Sequence, residues 1–396
     1  MLRLYHIVIY EFFLCGEVMN IKFKHSKVML ICTTDNMIWQ FLVPHIRQLR
    51  ELGADVDCIC AKTGFWFDEL RDSFGFNMID ITMKRTPVNL TNLKAYKQLI
   101  KLTKENKYDV IYCQQPVGGM MGRFIGRKFK LPVIYTAHGF FFFKGNNPIK
   151  NFIYRTAEKI MSRWTDAIIT MNFYDYNAAV KFKAKSVHKI NGIGLNPKKF
   201  SNEKFDPDAF RKELGIKKNE KVILSVSEFI KRKNYATMLQ SFAELCKTRK
   251  DVKYILVGTG KLIEQMKALA DTLGIRNKVI FTGYRKDIDK IMKISDVFFH
   301  QSFHEGLTMG IIEAMYFGLP VVASNVRGNA ELIMPQGGIL THSKDVQSHI
   351  IALNHILNDP EMARKMSEFN KNHSKQYLLP VVQEQLLDVY KHLDLI

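Results

Sequence analysis

The chain has 396 residues, 47% of them hydrophobic and 24% charged, an ordinary globular composition with length enough for two domains with sizeable cores. Its formal net charge of +20 is not ordinary and points to an anionic partner: nucleic acid, a membrane surface or an anionic substrate. The six cysteines show no metal-ligand spacing and imply no zinc, and they read as small buried residues of a reducing compartment.

The first eighteen residues, MLRLYHIVIYEFFLCGEV, are apolar but interrupted by Arg3, His6 and Glu11. Their unbroken runs fall well short of the ~20 residues a membrane span needs, and no small-residue cleavage site follows. The extension, residues 1–26, is either a start upstream of the true one at Met19 or a short interfacial helix. From Val28, strands are expected at Val28–Cys32, Val56–Cys60, Val110–Cys113, Val133–Thr136, Ala167–Met171 and Val187–Ile190. Helices are expected between them at about 38–52, 90–104, 118–129 and 149–162. A second series has strands at Val222–Val226, Tyr254–Val257, Val279–Phe281, Val297–His300, Leu319–Ala323 and Gly338–Leu340. Such alternation predicts an α/β fold of parallel sheets with helices on both faces. Ligands in such sheets sit beyond the carboxyl ends of the strands. The polar stretch Asn196–Glu220, with Pro197 and Pro207, is the expected join between two doubly wound, Rossmann-like domains, 27–195 and 196–374. A last amphipathic helix closes the chain within 375–396. Cations from Arg123 to Lys185 crowd the first half, as a solvated face or as a patch for an anionic membrane.

The most informative stretch runs from Ser302 to Ile333, SFHEGLTMGIIEAMYFGLPVVASNVRGNAELI. Glu305 sits in a loop, a helix is expected from about Thr308 with that hydroxyl as its cap, Gly318 stops it, and a buried strand follows. A helix N-terminus offers free amides and a favourable dipole to a phosphate. Carboxylates beside it, Glu305 and Glu313, would repel phosphate and are better suited to accept hydrogen bonds from hydroxyls. That describes a phosphate joined to polyols, as in a sugar nucleotide.

Other strand ends add to it. Strand Val222–Val226 runs into Ser227-Glu228-Phe229-Ile230-Lys231-Arg232-Lys233, where a cation before a helix is placed to hold a diphosphate. His138, at a strand end before Gly139, is a candidate to point its ring at substrate. Phe140 to Phe143 read as a buried strand or as a loop touching a lipid acceptor. Gly118, Gly119 and Gly122 permit close approach to a ligand, and packing explains them equally well. Gly258-Thr259-Gly260-Lys261 lacks the second half of a P-loop. The triplets Asp55-Val56-Asp57 and Asp287-Ile288-Asp289 do not end strands, and no metal is expected.

The Glu-x7-Glu spacing inside EGL…EAM..GLPVV closely resembles the family 4 retaining glycosyltransferases with the two-domain GT-B fold, and the tail RGNAELI is similar to members that build bacterial capsule, exopolysaccharide or other surface glycans. Apart from the extension, the likeness covers essentially the whole chain. It implies an enzyme that moves a sugar from a nucleotide-sugar, a UDP-hexose or UDP-N-acetylhexosamine, to a glycan or polyprenyl-linked saccharide, at the cytoplasmic side of a membrane, with no metal or other cofactor. It implies that 27–195 is the acceptor domain, joined by the terminal helix, and 196–374 the donor domain. By the same likeness Lys233 binds the diphosphate and His138 lines the donor sugar. Glu305 with the backbone of Gly306, Leu307, Thr308 and Met309 holds sugar hydroxyls, and Glu313 the ribose hydroxyls. Gly258 lies near the donor, and Gly283 and Tyr284 near the base. Two positions depart from the family: Glu228 stands where an arginine is common, and Thr308 where proline is. The rival readings are a GT-B epimerase or phosphorylase, and a basic nucleic-acid-binding protein, which no helix-turn-helix, zinc or RNP-like signature supports.

Overall fold

The computed structural model describes residues 22–24, 27–64, 66–200 and 204–396, so the expectations for residues 1–18 lie outside the described residues. The first sheet contains β1 (Lys27–Thr34), β2 (Asp55–Ala61), β3 (Asn77–Asp80), β4 (Val110–Gln114), β5 (Val133–Ala137), β6 (Ala167–Thr170) and β7 (Ser186–Lys189), in the order β3-β2-β1-β4-β5-β6-β7. The second contains β8 (Lys221–Val226), β9 (Val252–Val257), β10 (Val279–Gly283), β11 (Val297–His300), β12 (Val321–Ser324) and β13 (Gly338–Thr341), in the order β10-β9-β8-β11-β12-β13. β1 pairs in parallel with β2 and β4, and β8 with β9 and β11. Each sheet therefore begins in its middle and winds outwards both ways. The winding reverses at β1/β4 and at β8/β11, the switch points beside which ligands of such sheets bind. The doubly wound α/β architecture read from the sequence is the one observed. β3 was not expected: its four residues, Asn-Met-Ile-Asp, offer no buried apolar run, because an edge strand is half exposed.

The chain divides into two compact units, residues 1–136 with 161–167 and 386–396, and residues 137–160 with 168–385. In the first, helix Pro116–Phe129 lies directly on the sheet. A Cβ on Gly119 would stand 2.3 Å from the Tyr135 ring, and one on Gly126 2.1 Å from Val133. These glycines serve helix-to-strand packing. Arg123, fully buried, lies over the Tyr135 ring at 4.0 Å, so it belongs neither to a solvated face nor to a surface patch.

In the second unit the two-residue period of the strands splits the core. Ile223, Tyr254, Leu256, Phe299 and Val322 point into one layer, with helices Tyr235–Thr248 and Val346–Asn358. Their neighbours Leu224, Ile255, Val257, Phe298 and Val321 point into the other, with helix Met309–Tyr316. Because both faces are covered, Phe298→Ala and Phe299→Ala should each cost about 3–5 kcal/mol in urea unfolding. A near-neutral result for either would contradict a sheet buried on both sides.

Candidate functional site

The chain leaves β8 through Ser227–Ile230 into one 3-10 turn, Lys231–Lys233, and then enters helix Tyr235–Thr248. Asn234 joins turn to helix at φ 57°, a left-handed conformation that asparagine tolerates. Its side-chain amide donates to the carbonyls of Gln301 (3.0 Å) and Ser343 (2.6 Å), which ties the turn to the residue just past β11. The Gly258–Gly260 turn after β9 backs the same loop. A Cβ on Gly258 would stand 2.1 Å from the Ser227 carbonyl oxygen, and one on Gly260 2.6 Å from the Phe229 nitrogen.

Across the switch point, the loop after β11 presents Glu305, only 5% exposed. Lys233 Nζ donates to its Oε1 at 2.6 Å, and Arg232 donates to its Oε2 and to the His304 carbonyl at 3.1 Å. Ser302 Oγ donates to Oε1 at 2.6 Å, and His300 Nε2 lies 3.2 Å from the same oxygen. Burial alone would raise the Glu305 carboxyl. The Lys233 ammonium, then the His300 hydrogen bond and Arg232, outweigh it and hold the group well below the usual carboxylate range. Burial pushes the Lys233 ammonium down, and Glu305 works against that push.

The next residue is fixed by backbone alone. A Cβ on Gly306 would stand 1.8 Å from the His138 carbonyl oxygen, and one on Gly328 2.1 Å from the Gly306 carbonyl oxygen. Arg327, which sequence reasoning left unassigned inside RGNAELI, clips three segments together. Its Nε donates to the Glu305 carbonyl (2.8 Å), Nη1 to Asp175 Oδ1 (2.8 Å) and Nη2 to the Phe140 carbonyl (2.7 Å). Asn172 donates to the Gly306 carbonyl at 3.0 Å. An arginine followed by glycine just past a strand end was the available signal. Phe140 to Phe143 form a loop, with Phe140 and Phe142 buried and Phe143 stacked on His304 at 4.4 Å.

Helix Met309–Tyr316 begins where expected, but Thr308 does not cap it: its hydroxyl donates to Asn329 Oδ1 at 2.7 Å. A tertiary partner outcompeted the local one, and the first amides are left clear of that side chain. The structure thus brings Lys233, Glu305, Gly306 and the His138 backbone together, with Leu307, Thr308 and Met309 continuing into the helix. His138 itself is half-buried. Glu313 lies inside the helix and is ion-paired with Lys199. Gly258 donates its N–H to the Gly283 carbonyl at 2.9 Å, and Tyr284 beside it is 60% exposed. Of the aspartate triplets, Asp57 accepts from Asn77 at 2.6 Å and Asp287 from Arg285 at 2.7 Å.

Residues 206–373 match the family model described as glycosyl transferases group 1, and residues 27–172 the model described as glycosyl transferase 4-like. The chain is 27% identical, over 92% of its own length and 96% of the relative's, to EpsD of Bacillus subtilis (strain 168), which is provisionally named a glycosyltransferase. It is 29% identical, over 77% of its length and 80% of the relative's, to the UDP-Gal:alpha-D-GlcNAc-diphosphoundecaprenol alpha-1,3-galactosyltransferase of Escherichia coli. Among solved structures, Alr3699/HepE of Anabaena in complex with UDP and glucose superposes with TM-score 0.78 at 18% identity, covering 93% of this chain and all of that one. These likenesses to structures concern the fold.

Two outcomes follow from the geometry. Gly306→Ala must push the loop off the His138 carbonyl and should destabilise by about 1–3 kcal/mol, read by thermal unfolding; a neutral substitution would contradict the close approach. Burial and then Arg232 lower His304 to about 4, and burial also lowers His300. Between pH 6.5 and about 4 the unfolded chain therefore takes up protons that the folded one refuses, so stability falls as pH drops through that window. Glu305, held well below the ordinary carboxylate value of 4.5, keeps its full contribution down to about that pH and adds to the fall only below it. The unfolding temperature should decline from pH 6.5 towards 4, and His304→Gln should flatten the slope.

Proposed function

We propose that this chain, which belongs to the family 4 glycosyltransferases with the GT-B fold, transfers a hexose or N-acetylhexosamine from its UDP-sugar to a lipid-linked saccharide, with retention of anomeric configuration, in bacterial surface-glycan synthesis. The observation that carries this reading is the Lys233–Glu305 pair at the β8/β11 switch point, beside the N-terminus of helix Met309–Tyr316. A lysine ammonium has three donors. One is committed to Glu305, and that commitment aims the others at the strand edge where a diphosphate would sit. As UDP leaves, negative charge grows on its phosphates. Cations and helix amides held in place beforehand stabilise that charge without reorganising. Arg232 stands beside Lys233 on the same carboxylate and is the second cation, in a chain with Glu228 where relatives commonly carry arginine.

Glu305 positions Lys233, and its Oε2 keeps lone-pair capacity for a donor hydroxyl. Glu313, released from Lys199, takes the ribose hydroxyls, and His138 lines the sugar. Acceptor attack comes from the face that UDP leaves, without a dedicated protein nucleophile. The charge the reaction needs comes from lysine, arginine and amides, so transfer is proposed to be metal-independent and unchanged by a chelator. The acceptor class is supported by the name of the Escherichia coli relative, and the UDP-sugar by that name and the Anabaena complex. A UDP-sugar donor used on a lipid-linked acceptor is the support for putting the proposed reaction at the cytoplasmic face of a membrane.

Lys233→Ala and Glu313→Ala should each lower transfer by at least about 10²-fold while leaving circular dichroism unchanged; near-normal turnover in either would remove that residue from the mechanism. In thermal-shift screening a UDP-sugar should raise the unfolding temperature, by about 2.7 kcal/mol of stability at a hundredfold excess over Kd. No shift with UDP-, GDP- or ADP-sugars would undo the enzyme reading. Donor hydrolysis or epimerisation without acceptor would favour an epimerase instead.

A further inference from the structure

We propose that helix Pro148–Met161 is a docking face for an anionic lipid surface and lies flat in its headgroup layer. An amphipathic helix on a globular protein turns its apolar stripe inward. This one does the reverse. Ile149, Phe152, Ile153 and Ile160 recur at three-, four- and seven-residue steps along one side and are 70%, 73%, 55% and 44% exposed, whereas Glu158, on the opposite side, is 8% exposed. Lys150 and Lys159 are exposed at the two borders of the stripe. Phe141, 44% exposed with its ring 5.6 Å from that of Tyr154, extends the patch into the preceding loop.

Charge decides what covers this face. Between Asp109 and Glu158 the chain contains no acidic residue, while cations recur up to Lys150 and Arg155. A second copy of this chain, packed about a two-fold axis, would bring like-charged lysines onto a shared apolar seam. A bilayer with anionic headgroups meets both features at once: acyl chains take the apolar stripe and headgroups the bordering lysines. The stripe from Ile149 to Ile160 is about 16 Å long, and no helix among the described residues is long and apolar enough to cross a membrane, so the contact is with one leaflet. The inference rests on the proposed lipid-linked acceptor only for its purpose; vesicle binding requires neither donor nor acceptor.

The test is vesicle flotation with phosphatidylcholine alone and with phosphatidylcholine mixed with phosphatidylglycerol. The protein should float with the mixed vesicles and not with the neutral ones. The double variant Phe152→Ser, Ile153→Ser should lose binding by about tenfold or more, and so should Lys150→Glu with Lys159→Glu. The stripe is exposed, so the first double variant should keep its unfolding temperature and the shift that a UDP-sugar produces. Undiminished binding by that variant, no binding by the parent, or loss of thermal stability in the variant would each overturn the docking face. So would a dimer of the parent, seen by light scattering, that the variant converts to monomer. Vesicle binding with no donor-induced shift would instead leave this face standing and remove the donor reading.

Discussion

A nearly buried carboxylate at the end of a strand is the constraint from which the rest of the donor edge follows. Taking Glu305 out of water is costly, and losing one partner would leave an uncompensated charge inside the protein. The chain meets the cost with contacts from two sides of the switch point: Ser302 and His300 from its own loop, Lys233 and Arg232 from the loop after β8. Those contacts need both loops in register. Asn234 reaches across to the Gln301 carbonyl, and the Phe303 amide donates to the Arg232 carbonyl at 2.9 Å. The same carboxylate favours the charged form of Lys233 against the burial that pushes it down. A cation in a poorly hydrated place, aimed and ionised, is what a leaving diphosphate requires, so the structural and chemical demands on Glu305 coincide.

The second constraint is the absence of side chains. Gly306 sits so close to the His138 carbonyl and to the position of Gly328 that the three backbones touch. Polar groups brought this close must be satisfied. Arg327 and Asn172 supply the donors, on the carbonyls of Glu305 and Gly306, and Asp175 holds the Arg327 guanidinium in turn. Burial raises the Asp175 carboxyl, against the guanidinium, which favours its charged form. Precision around Glu305 thus comes from residues that need never meet a substrate.

The strands other than β3 and the doubly wound architecture were legible in the sequence because each is written locally as an apolar run between turns, and Lys233 and Glu305 were each singled out at a strand end, but their pairing was not read. What was not legible depends on distant partners. Arg327 and Asp175 lie far apart in the chain, and neither advertises the other. Thr308 was read as a cap because its neighbours allow one; Asn329, from the next helix, takes its hydroxyl instead. The phenylalanine run was read as either buried strand or lipid-touching loop, and its residues divide: alternate rings enter the core while Phe141 stays outside.

Net charge was the least resolved sequence signal, because composition sums cations that the fold uses in different ways. Arg123 is buried over Tyr135, Arg127 lies over the Trp164 ring at 4.2 Å, and Arg155 over the Phe142 ring at 4.9 Å. Guanidinium planes stack on aromatic faces in a way that ammonium groups do not. Arg123 is therefore a packing element, whereas Arg127 and Arg155 stack on their rings while remaining exposed. Lysines such as Lys144, Lys150 and Lys159 stay exposed on flexible stems. An excess charge carried by exposed lysines and arginines beside apolar side chains acts on partners at a surface, and the buried Arg123 acts on the core. Part of the +20 is thus structural, and Lys144, Lys150, Arg155 and Lys159 are among the exposed cations left for an anionic partner.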